Sequence, residues 1–117
     1  MFVRLGLRFA DDEPVAIQTT YLPVATFPDV TRHDFSTASL YGVMRREYGL
    51  NPAWADAVIE ATHASDEESA QLKLGPNSPV LLIWHVTFDD QFKALEYVRS
   101  LYRADRFSFT TGRSPIA

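Results

Sequence analysis

The sequence predicts an α+β domain: an antiparallel sheet with helices packed on one face. Three observations carry this. Two pairs of alternating apolar segments are each joined by a short polar turn, Phe2–Phe9 with Val15–Leu22 and Val80–Phe88 with a segment from Lys93. Short turns join antiparallel neighbours. Helical signals lie between the two pairs rather than alternating with single strands, which separates this pattern from a parallel α/β sheet.

In the first strand Val3, Leu5, Leu7 and Phe9 share one face, and Phe2, Arg4, Gly6 and Arg8 the other. Asp11-Asp12-Glu13-Pro14 reads as a polar turn, because Asp bonds to its own backbone and Pro cannot continue a ladder. Ser36–Tyr48 reads as a helix, with Ser36, Thr37 or Ser39 available as N-cap and Gly49 placed for a left-handed C-terminal cap. Trp54–His63 has no decisive period; its alanines suit a helix, and Trp54, Val58, Ile59 and Thr62 suit a strand. Ser65-Asp66-Glu67-Glu68 is a capping box opening a short helix to Leu74, closed by Gly75. Lys93–Phe109 reads as one long strand, with Glu96, Val98, Ser100 and Tyr102 on one face. Residues 111–117 form a polar tail expected to be loose.

At 117 residues the chain fits one domain, 1–117. The formal net charge of −4 argues against a grip on nucleic acid by this chain, since such binding rests on phosphate neutralisation. The absence of cysteine excludes thiolate catalysis and disulfides. No apolar run has the length of a membrane span, and no signal-peptide pattern opens the chain, so a cytoplasmic location is expected.

No catalytic constellation, metal motif or cofactor motif is present, so the expected set is no catalytic residue, no metal and no cofactor. Of His33, His63 and His85, only His85 sits on a confident strand. It is either a satisfied interior histidine or a ligand contact. Ser39 and Tyr41 stand at a helix start, where backbone amides face anions; a plain N-cap is the commoner role. Arg8 could fork an anion, and Glu96 could accept hydroxyls.

Four ordered segments, ADDEPVAIQTTYLP, SLYGVMRREYGL, LGPNSPVLLIWHVTFDD and ALEYVRSLYRADRFSF, resemble the UTRA domain over roughly residues 4 to 109. This is the effector-binding domain of HutC-type GntR-family transcription regulators. The resemblance implies a chorismate lyase-like fold, a strand at Trp54–Ala64, no catalysis, and a small-molecule effector such as a sugar phosphate or organic acid. It also implies a cytoplasmic homodimer, with operator DNA contacted only through a winged helix-turn-helix domain absent from this chain. The chain would then be an isolated sensor domain or a truncated regulator that opens inside the family's domain.

Arg8, Ser39, Tyr41, Glu96 and Tyr102 carry over residue by residue, and with Gln18 and His85 they make the expected ligand-binding set. Three positions depart from the common pattern. Gly6 stands where a second arginine is frequent, Gln18 where glutamate is usual, and His85 where arginine is common. Two lost arginines remove two charged forks, each worth about 1.5–3 kcal/mol, which favours a less charged ligand. The rival readings are a stand-alone lyase-like enzyme and a dimerisation domain with a decayed pocket. Glu96 and Tyr102 would stand about 20 Å apart on a straight strand, so one small ligand cannot span both.

Overall fold

The computed structural model describes residues 2–32 and 39–110. His33, the N-cap candidates Ser36 and Thr37, the tail 111–117 and the side chain of Arg4 lie outside the described residues. Five strands form one antiparallel sheet: β1 (Phe2–Ala10), β2 (Glu13–Leu22), β3 (Pro52–His63), β4 (Pro79–Asp89) and β5 (Ala94–Arg103). Helix α1 (Leu40–Tyr48) precedes β3, and α2 (Asp66–Gln71) follows it. The spatial order is β1-β2-β5-β4-β3, so β5 is the middle strand and joins the β1–β2 pair to the β4–β3 pair.

The first turn is tighter than expected. Asp11 and Asp12 both take positive φ, 50° and 63°, which is the two-residue turn that matches strand twist. Glu13 and Pro14 therefore belong to β2. Pro14 is tolerated because the register slips between Arg8 and Phe9.

Ser39 caps α1, accepting from the Gly42 amide at 3.3 Å, and Gly49 closes it at φ 63°. In α2 the Ser65 hydroxyl accepts from the Glu68 amide at 3.1 Å, and the Glu68 carboxylate accepts from the Ser65 amide at 2.9 Å. The end of α2 departs from expectation. Lys73, at φ 55°, is the left-handed closing residue, not Gly75, and Leu74 donates back to the Ser69 carbonyl at 2.8 Å. Strand β5 also stops six residues early, at Arg103. There the Asp105 carboxylate takes the Arg103 guanidinium and turns the chain, with the Arg106 amide donating to the Arg103 carbonyl.

Leu72 at the end of α2 packs among Ile17, Val80, Leu82 and Leu101 on one face of the sheet. A second core gathers Leu22, Phe27, Val30, Met44 and Leu95 around α1. From α1, Tyr41 reaches Thr87 and Glu96, which alternation places on the opposite face from Leu82 and Leu101. The α+β class and the antiparallel sheet are as expected. The helices nevertheless divide between the two faces instead of sharing one, since the end of α2 packs on Leu82 and Leu101 and α1 reaches Glu96.

Both edge strands are exposed. On β3, Trp54, Val58 and Ile59 are each more than half exposed. On β1, Val3, Leu5, Leu7 and Phe9 are exposed on one face.

Candidate functional site

Strand register places Arg8, Gln18, His85, Thr87, Glu96, Ser100 and Tyr102 on one face of the sheet. Within that face three groups separate. The first centres on Glu96, which is buried. Thr87 lies directly across on β4, and its hydroxyl donates to Glu96 Oε1 at 2.9 Å. Tyr41, in the first turn of α1, donates to the same oxygen at 2.6 Å and lies 2.9 Å from the Thr87 hydroxyl. His85, two residues along β4, brings Nε2 to 3.7 Å from Oε1. Among the described residues, then, three groups converge on Oε1 and none reaches Oε2.

The electrostatics follow from this geometry. Burial by itself pushes the Glu96 carboxyl up. The His85 imidazole and the hydroxyls of Tyr41 and Thr87 outweigh that and hold it below the usual carboxylate value. Glu96 is therefore a fixed negative charge at neutral pH. Tyr41 is pushed up to about 12, first by burial and then by its hydrogen bond to Glu96, so it stays a neutral donor.

The second group is Arg8 with Gln18. The Arg8 guanidinium donates through two nitrogens to Gln18 Oε1, at 2.9 and 2.6 Å, on the exposed face of the first hairpin. Gly6 lies opposite Gln18, and a Cβ built there meets nothing within 4 Å, so this end of the floor is open. The third group is Tyr102, which packs edge-on against Phe107 and Phe109 at ring distances of 4.8 and 6.1 Å.

Of the seven expected site residues, Tyr41, His85 and Glu96 come together, and Arg8 and Gln18 pair separately. Ser39 serves as the N-cap of α1. Tyr102 is at the far end of β5, as strand geometry required. Thr87 was not among the expected residues. Its signal was present: alternation puts it beside His85, and a short β4–β5 turn sets it opposite Glu96. A shallow cleft of about 150 Å³, lined by Ala10, Asp11, Glu13, Val15, Arg106 and Phe107, holds none of the seven.

The face thus carries a buried carboxylate bound by donors. The UTRA domain profile matches residues 1–108, and the chain belongs to this family. It is 30% identical over 103 residues to the HTH-type transcriptional repressor NagR of Bacillus subtilis, covering 88% of this chain and 42% of that protein. It is 32% identical over 100 residues to the HTH-type transcriptional repressor PhnF of Mycolicibacterium smegmatis, covering 86% of this chain and 41% of that one. The crystal structure of the effector domain of PhnF from Mycobacterium smegmatis superposes with a TM-score of 0.87 at 28% identity, over 97% of this chain and 69% of that one. The chain spans about two fifths of the length of these curated relatives. No helix among the described residues is long and apolar enough to cross a membrane.

Proposed function

We propose that this domain senses a small molecule, without catalysis, for a cytoplasmic HutC-type regulator of the GntR family. The observation that supports this best is Glu96: a buried carboxylate held by donors on one oxygen, with the other left for a ligand hydroxyl or amine. The effector class is a sugar phosphate or an organic acid; Arg8 and Gln18, in the rows of Tyr102 and Ser100, offer a separate anion contact at the open end. A ligand switches the regulator only by binding one arrangement of the protein better than another. Operator DNA is the partner of a helix-turn-helix region outside this chain.

The test is a thermal-shift titration against panels of sugar phosphates and organic acids. At a hundredfold excess over Kd a true effector adds about 2.7 kcal/mol of stability. That gain is expected to vanish in Glu96→Ala; a loss in Arg8→Ala instead would place the ligand at the open end. A ligand that stabilises wild type and Glu96→Ala equally would remove Glu96 from the site.

The exposed edge strands favour a homodimer as the working form. β3 runs twelve residues with no lysine and no proline beyond its first position, and of the devices that usually blunt an edge it has only the charges of Asp56 and Glu60. Pairing it with a second copy would cover Trp54, Val58 and Ile59. Sedimentation velocity is expected to show a dimer for wild type and a folded monomer for Val58→Lys. An unchanged dimer in Val58→Lys would place the interface elsewhere.

A further inference from the structure

The Glu96 site differs from a simple anchored carboxylate in one respect: an imidazole stands beside it. His85 Nε2 is 3.7 Å from Glu96 Oε1, too far for a hydrogen bond yet close enough for an ion pair. The side chains differ in access, with His85 26% exposed and Glu96 4%. The imidazole is thus the more accessible of the two to a proton from solvent. Histidine is the side chain that ordinarily changes charge between pH 5 and 8.

The surroundings leave this histidine in control. From β5 the charged neighbour is Glu96, and Val98 lies directly opposite His85. From β3 the neighbour is Ala57, which carries no charge. From α1 come Tyr41, a neutral donor, and Arg45, which acts electrostatically on Tyr41. On β4 itself Thr87 is uncharged. Among the described residues no other group at the site changes charge near neutrality.

We propose that His85 makes ligand binding at Glu96 proton-coupled and sets the charge of the ligand the site prefers. With the imidazole neutral, Glu96 presents an uncompensated negative charge through Oε2 and favours an amine-bearing, hydroxylated ligand. With the imidazole protonated, that charge is matched internally and the advantage of an amine is lost. An arginine in place of His85 would match the charge permanently; histidine makes the match conditional on pH. This inference rests on the reading of Glu96 as a ligand contact.

Two measurements test it, one without a ligand. First, the carboxyl carbon of Glu96, followed by NMR in labelled protein, is expected to show an inflection between pH 5 and 8 that disappears in His85→Gln. Absence of that inflection in wild type overturns the coupling itself. Second, ethanolamine is the probe, since it carries an ammonium and a hydroxyl and keeps its charge over this range; ethylene glycol is the neutral control. Ethanolamine is expected to bind at least roughly fivefold more tightly at pH 8 than at pH 5.5. Ethylene glycol should show no such difference. His85→Gln should remove the pH dependence, and His85→Arg should leave ethanolamine weak at both values. Equal ethanolamine affinity at both pH values overturns the proposal. An inflection with no ethanolamine binding at either pH overturns the reading of Glu96 as a ligand contact, and the proposal with it.

Discussion

Replacing Arg103 with methionine is expected to cost about 2–4 kcal/mol, a fall in Tm of roughly 10–15 °C for a domain of this size. Arg103 ends β5 with its side chain nearly buried, and four hydrogen bonds spend its guanidinium. Nε and one terminal nitrogen fork onto Asp105 at 3.0 and 2.7 Å. The other terminal nitrogen reaches Glu13 at 2.7 Å and the Leu72 carbonyl at 3.2 Å. One side chain thus ties the start of β2, the end of α2 and the turn after β5. Asp105 and Glu13 are themselves well exposed, so each pair is partly screened, and the estimate stays below the cost of breaking a fully buried ion pair. Lysine should restore only part of the loss, because it keeps the charge and loses the fork.

The pH dependence of this variant is also defined. Arg103 holds the Asp105 carboxyl below its ordinary value. A depressed carboxyl contributes stability above its unfolded pKa, and that contribution is lost as pH falls through the folded value. The penalty of Arg103→Met, measured by urea unfolding, should therefore be largest at neutral pH and shrink in acid. A penalty below about 1 kcal/mol at pH 7 would show that the turn and the two acids are held by other contacts.

Leu101→Ala is expected to cost about 3–5 kcal/mol, the upper part of the range for such truncations. Leu101 is fully buried, in the core with Ile17, Leu72, Val80 and Leu82. Its Cα neighbours in the ladders are Ile17 on one side and Leu82 on the other. Because both flanking strands are hydrogen-bonded to β5, the void cannot close by a local shift. Calorimetry or urea unfolding measures the loss directly. A loss under 1.5 kcal/mol would mean that α2 moves in to fill the space.

Local chemistry made much of the fold legible. The Asp11–Asp12 turn, the Ser65–Glu68 box and Gly49 each carry their own signal, and alternation placed Glu96, Ser100 and Tyr102 on one face. β3 was not legible from its residues: it is exposed on both faces, so no burial period marks it, and its alanines mimic a helix. Only the family resemblance read it as a strand. The site was half legible for a related reason. Alternation brings His85 near Glu96, but the contact of Tyr41 with Glu96 depends on where α1 lands, and no local pattern encodes that. The surroundings of Tyr102 were not legible, because the strand was read past Arg103. The chain turns there, and Phe107 and Phe109 fold back onto the ring.

The central position of β5 also bears on how the protein comes to exist. The β1–β2 and β3–β4 pairs are each complete once Asp89 has been made, yet their ladders are joined only through β5. Hairpins form in about 1–10 μs, whereas a ribosome adds about 5–20 residues per second. From Asp89 to Arg103 the two halves therefore wait on the order of a second, each with an apolar edge open. During synthesis the exposure that matters is thus not the outer edges of the finished sheet. It is the inner edges of β2 and β4, which only the last strand of the sheet to emerge can join.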